Sequence, residues 1–221
     1  MITFLFETYL IILLTGFAAG ILAVYKNKPA ALYVRYLPWF LLLKFGEERF
    51  AQYWSRKYGN DHAICNIFLI IEFLFYSFTL YQLLRTSAIR KWIIYAAGMY
   101  LLLAIPLIFF IQGINYYNSG VYFMGGLMML VFSGYYLFTL FRGTGDTNPF
   151  FKAGFWIACS ILFYYCCTMP LILPWTLLLN ATPFEIKILY IILLIMYCIA
   201  YAMFVIGFCF YRRSQKAHKL L

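Results

Sequence analysis

Seven stretches of roughly twenty or more mostly apolar residues run through this chain, joined by short polar connections, and this pattern limits its fold more than anything else in the sequence. A hydrocarbon slab about 30 Å thick is crossed by ~20 helical residues, so seven crossings consume most of the chain. Lipid supplies no partners for backbone N–H and C=O groups, which leaves helices or a closed barrel. The runs lack the alternation of barrel strands. They predict an all-α fold, a polytopic membrane protein with a seven-transmembrane-helix bundle. Composition agrees: of 221 residues, 66% are hydrophobic and 11% charged, whereas a soluble domain carries roughly a quarter charged residues.

The spans are expected near 3–25, 32–54, 62–84, 91–112, 119–141, 152–177 and 186–210, giving one membrane domain over 1–211 and a basic cytoplasmic tail over 212–221. Basic residues gather at alternate ends: Lys26, Lys28, Arg35, Arg85, Arg90, Lys91, Arg142, Lys152, Arg212, Arg213, Lys216 and Lys219 share one side. The positive-inside rule then places the N-terminus outside and the C-terminus in the cytoplasm. That distribution also accounts for the net charge of +10, so no nucleic-acid partner is implied. Residues 1–25 do not read as a cleaved signal, because positive charge follows the apolar run at Lys26 and Lys28 and Glu7 lies near its start. Gly16 and Gly20 form a GxxxG pair that lets a neighbouring helix approach, within the molecule or in a dimer.

Turn clusters mark the connections at 57–61, 115–120 and 143–149. In the last, Asp146, Thr147 or Asn148 is expected to cap the next helix, with Pro149 in its first turn. Pro38, Pro106, Pro170 and Pro174 are expected to kink spans two, four and six. Asn180-Ala-Thr182 matches a glycosylation sequon, but Pro183 follows it close to the membrane. The six cysteines lie in or at the ends of apolar stretches without ligand spacing, so neither a disulfide framework nor a metal site is expected, and no cofactor motif is present.

Ionisable residues inside a span are costly and face the bundle interior or a cavity, so function is sought there. Span two carries Lys44, Glu47, Glu48 and Arg49, and span three carries Glu72. Counted at 1.5 Å per residue from Arg35 and Arg85, Glu48 and Glu72 both lie ~20 Å above the inner boundary. Lys44, Glu48 and Gln52 form one stripe, with Lys44 spaced to pair with Glu48. Cys65, Glu72, Tyr76 and Thr79 form another on span three. Two carboxylates brought together in low dielectric would share a proton or bind a cation. The alternative is that Glu47, Glu48 and Arg49 mark the outer interface with Lys44 snorkelling outward. Glu72, flanked by apolar residues on both sides, is either a ligand or proton site or an interhelical hydrogen-bonding residue.

With 21 Tyr and 24 Phe, aromatic content exceeds the needs of two interfacial belts. Tyr190, Tyr197 and Tyr201 share a face of span seven, and Ser160, Tyr164 and Cys167 one of span six. Tyr164, Tyr197 and Tyr201 are the candidate cavity lining, for which plain helix packing is the alternative.

Span seven has no interior lysine for a retinal, and neither Asp-Arg-Tyr nor Asn-Pro-x-x-Tyr occurs. The phrases Leu37-Pro-Trp-Phe-Leu-Leu-Leu43 and Leu173-Pro-Trp-Thr-Leu-Leu-Leu179 lie at opposite depths of spans two and six, against the parallel repeat of small sugar transporters. Leu37-Pro-Trp-Phe with Glu48, then Cys65-Asn-Ile-Phe-Leu-Ile-Ile-Glu-Phe-Leu-Phe-Tyr76, resembles a family of seven-span proteins common in Bacteroidota. That resemblance rests mainly on Asn66 and Glu72, implies the fold and an inner-membrane location, and brings no activity. The candidate ligand or proton site is therefore Glu72, Glu48, Lys44, Tyr76 and Asn66.

Loops under about 16 residues leave no room for a soluble catalytic or output domain. A non-enzymatic sensory or signalling membrane component is expected, with the basic tail meeting a cytoplasmic protein partner or anionic lipid. A small proton-coupled transporter or channel is the alternative. The only histidines, His62 and His218, sit at opposite boundaries and compose no hydrolase constellation.

Overall fold

A computed structural model of the chain describes residues 2–26, 31–84, 87–143, 148–177 and 183–218. Among the described residues it is all-helical, with α1 (Ile2–Lys26), α2 (Leu32–Tyr58), α3 (His62–Leu83), α4 (Ser87–Pro106), α5 (Ser119–Arg142), α6 (Ala153–Leu177) and α7 (Pro183–His218). Six of these, all but α2, contain a segment long and apolar enough to cross a membrane. The boundaries follow local chemistry. Gly59, at φ +87°, ends α2 in the left-handed conformation and donates its N–H to Ser55 O at 2.9 Å. Arg90 donates to the carbonyls of Tyr81 and Leu84 at 3.1 and 2.9 Å, satisfying the C-terminal end of α3.

The helix breaks differ from the expected kinks. Pro38 lies inside α2 and Pro170 inside α6, and both helices continue through them. Beyond Pro106, α4 passes into a π turn over Leu107–Ile111, where Gln112 N–H reaches back to Leu107 O at 2.9 Å. The Asn148 cap exists but serves the short 3-10 turn Pro149–Phe151 ahead of α6, through Phe150 N at 3.1 Å. Rather than ending near 210, α7 continues as helix to His218. Lys28, Arg85, Asp146, Thr147, the sequon's Asn180 and Thr182, and Lys219 lie outside the described residues.

Helices pack in the circular order α1, α2, α3, α5, α6, α7 and back to α1, while α4 lies outside that ring against α3 and α5. Its outer position explains the exposure of Trp92, Tyr95, Leu102 and Phe110. The GxxxG pair is spent within the molecule: a Cβ on Gly16 would meet Leu41 at 2.7 Å, and one on Gly20 would collide with Pro38 and Phe208. One half of the ring is filled by Ala23, Val34, Leu37, Leu80, Leu83, Ile157, Phe204 and Phe208, all buried. The other half, near the N-terminal ends of α1, α3 and α7, holds the buried charged residues Lys44 and Glu72.

Candidate functional site

The inward face of α2 changes character along its length. Val34, Leu37 and Leu41 begin it, and Lys44, Glu48 and Ala51 continue it at the same helical spacing. Lys44 therefore does not snorkel outward. Its residue is 7% exposed, and Nζ lies 2.8 Å from Glu47 Oε2 and 3.0 Å from Glu48 Oε1, and 4.6 Å from the centre of the Phe68 ring. A buried ammonium is tolerable when paired and hydrogen-bonded in this way. Arg49 alone behaves as a boundary residue, forming a half-exposed bidentate pair with Glu7 of α1 at 2.6 and 3.0 Å.

Beside Lys44 a chamber of about 200 Å³ opens between α1, α2, α3, α5, α6 and α7. Glu48 and Glu72 both line it, as do Glu47, Asp61, Cys65 and the tyrosines at 9, 117, 122, 164, 190 and 197. The two sequence stripes thus meet in one space. Four carboxyl groups face a single ammonium there. A second hollow of about 330 Å³, bounded by Ile2, Thr3, Gln52, Ser55 and Arg56, shares Phe6, Glu48, Ala51, Asp61 and Tyr190 with the chamber and forms its vestibule.

Glu72 occupies the inner end. It is 2% exposed, and its Oε1 is buried without a hydrogen-bond partner. The Tyr164 hydroxyl faces the same carboxyl group. One turn further along α3, Tyr76 is fully buried, its ring against Phe40, Tyr164, Tyr165 and Phe204. The hydroxyls of Tyr76 and Tyr201 are also buried and face one another. A buried acceptor without a donor costs about 1–3 kcal/mol, so Glu72 Oε1 marks a place where a hydrogen-bond donor is stabilised.

Two expectations change in detail. Asn66 is not part of the chamber: its Nδ2 donates to Ile114 O and Tyr116 O at 2.9 and 2.7 Å, and its Oδ1 accepts from Asn118 N at 3.0 Å. The amide is spent on fastening the connection between α4 and α5, since loop backbone buried there needs such partners. Tyr76 and Tyr201 lie behind the chamber wall rather than in it, whereas Tyr164 and Tyr197 line it with rings 5.5 Å apart.

Sequence reasoning passed over Tyr9, Tyr117, Tyr122 and Asp61. Tyr9, completely buried, donates to Glu48 Oε1 at 3.1 Å and packs on Tyr197 and Tyr201. Tyr122 shares a short hydrogen bond with Thr168, joining α5 to α6. Tyr117 stands in the fastened connection, where desolvation and then Tyr122 hold its phenol well above the usual range, keeping the hydroxyl protonated. Among the described residues no three His, Cys, Asp or Glu side chains converge as metal donors.

Comparison with family models, curated proteins and solved structures gave no match. The site therefore rests on its own geometry.

Proposed function

We propose that this protein is a non-enzymatic sensory component of the bacterial inner membrane that binds a small ligand or proton in the chamber ending at Glu72. All seven helices span the bilayer in this reading. What excludes α2 from the apolar set is its charged residues, yet Lys44 and Glu48 point inward while the exposed residues between its basic ends at Arg35 and Arg56 are Tyr36, Trp39, Leu43, Gly46, Phe50 and Tyr53. Outward apolar and inward polar is the pattern expected of a helix surrounded by lipid. With the N-terminus outside, the vestibule faces the exterior and the packed half faces the cytoplasm.

A single observation carries the functional reading: a buried carboxyl group with one oxygen left without a donor lies at the blind end of a chamber reached from one face, with solid packing beyond it. That is the geometry of reception. Occupancy would be passed on by the ring helices to the basic end of α7 and its cytoplasmic partner or anionic lipid. Cells carrying Glu72→Gln at normal protein level are expected to reproduce the transcriptional profile of a deletion strain, and proteoliposomes to show no proton or solute flux above empty vesicles. A profile indistinguishable from wild type would overturn the reading. Flux that depends on Glu72 would replace it with a proton-coupled transporter, the second reading, because membrane-embedded carboxylates also serve carriers.

A further inference from the structure

The cluster of charge around Lys44 is asymmetric, and the asymmetry says what kind of ligand the chamber takes. Glu47 and Glu48 already hold one ammonium, that of Lys44, at 2.8 and 3.0 Å. Deeper in the same space Glu72 offers an equivalent carboxylate whose Oε1 has no donor at all. Lys44 is thus a tethered example of what the inner end lacks.

We propose that the chamber is a receptor site for a small organic molecule bearing a primary ammonium group, bound with that group on Glu72; this rests on the reception reading above. Three features favour the assignment over other ligands. An anion would enter a space where four carboxyl groups outnumber one already committed ammonium, and repulsion in low dielectric excludes it. The tyrosine walls present π faces and phenol oxygens, which stabilise a cation by ring contact and accept its N–H bonds. The volume of about 200 Å³ admits a molecule of a few heavy atoms, below the ~300 Å³ at which drug-sized pockets begin.

A lipid ethanolamine headgroup carries the same ammonium but brings a phosphate with it, which the carboxyl excess opposes. Free amine is therefore the source.

The test is calorimetry on the full chain in phosphatidylglycerol nanodiscs, which contain no lipid amine, titrated with n-butylammonium chloride at constant ionic strength. Saturable binding is expected, with no heat from n-butanol and none from potassium chloride. Glu72→Gln, nearly the same shape, should weaken Kd by about tenfold or more, while the rim variant Glu7→Gln leaves it unchanged. Lys44→Gln removes the resident positive charge and should tighten binding several-fold, because the bound ammonium no longer meets a like charge in the same space.

Absent butylammonium binding, an equal response to potassium, unchanged affinity in Glu72→Gln, or loss of binding in Lys44→Gln with a normal melting profile would each overturn the assignment. Binding suppressed when phosphatidylethanolamine replaces half the nanodisc lipid would overturn the free-amine source in favour of the headgroup. Failure here with a Glu72-dependent transcriptional profile intact would reject the amine and leave reception standing. Amine binding without that dependence would do the reverse.

Discussion

Tyr9 and Asn66, both completely buried, use their polar atoms for different ends. Tyr9 gives its single O–H to Glu48, so Tyr9→Phe keeps the ring contacts with Tyr197 and Tyr201 and removes only that bond. A loss of about 1 kcal/mol is expected, visible as a small drop in melting temperature in detergent, together with altered affinity at the chamber. Asn66→Leu strands Ile114 O and Asn118 N at once and leaves Tyr116 O with the Asn118 amide as its remaining donor. It should cost about 3 kcal/mol or more, with a large drop in melting temperature. Sequence named Asn66 and omitted Tyr9, whereas Tyr9 lines the chamber and Asn66 does not. The reason is physical: a buried amide announces itself by polarity whether it serves a ligand or a loop, whereas a tyrosine in an apolar run looks like packing. The signal for Tyr9 was nonetheless there, because stepping back from Gly20 through Gly16 and Leu13 at helical spacing lands on Tyr9 and Phe6, the buried face of α1.

Glycines distinguish helix faces that meet from faces that look at lipid. A side chain on Gly20 collides with the Pro38 ring and Phe208, where α1 touches both α2 and α7, while Gly46 on the outer face of α2 has nothing near it. Gly20→Leu is therefore expected to destabilise by about 1–3 kcal/mol through overpacking, and Gly46→Leu to leave the melting temperature within a degree or two. Equal effects of the two would contradict the helix rotation described. Element positions were largely legible because apolar run length and turn clusters report directly on helix ends: Gly59 and Asp61 bound α2 and α3 where the 57–61 cluster implied. Two features escaped. The π turn after Pro106 depends on where the freed carbonyls find partners, which spacing does not encode. The orientation of α2 was left open because its charges suit either an interface or an interior, and only the neighbouring Tyr9 and Phe68 decide for the interior.

At the scale of the whole molecule, a closed ring of six helices with one half packed solid and the other hollow implies access from a single side. The vestibule residues Gln52 and Ser55 lie at the α2 end near the start of α1 and α3, Ala23 is buried in the packed half, and Arg142 ends α5 at the far face, exposed. In a cysteine-free background, intact right-side-out vesicles treated with a membrane-impermeant thiol reagent should label Gln52→Cys. Arg142→Cys should react only after permeabilisation, and Ala23→Cys under neither condition. Because reaction requires both water access and the thiolate, the three positions report the hollow, the far face and the plug separately. Labelling of Arg142→Cys in intact vesicles with Gln52→Cys silent would invert the proposed orientation while keeping the fold. Labelling of Ala23→Cys from the inner side would mean that the packed half opens, and the molecule would then be a carrier exchanging between two faces rather than a receptor closed on one.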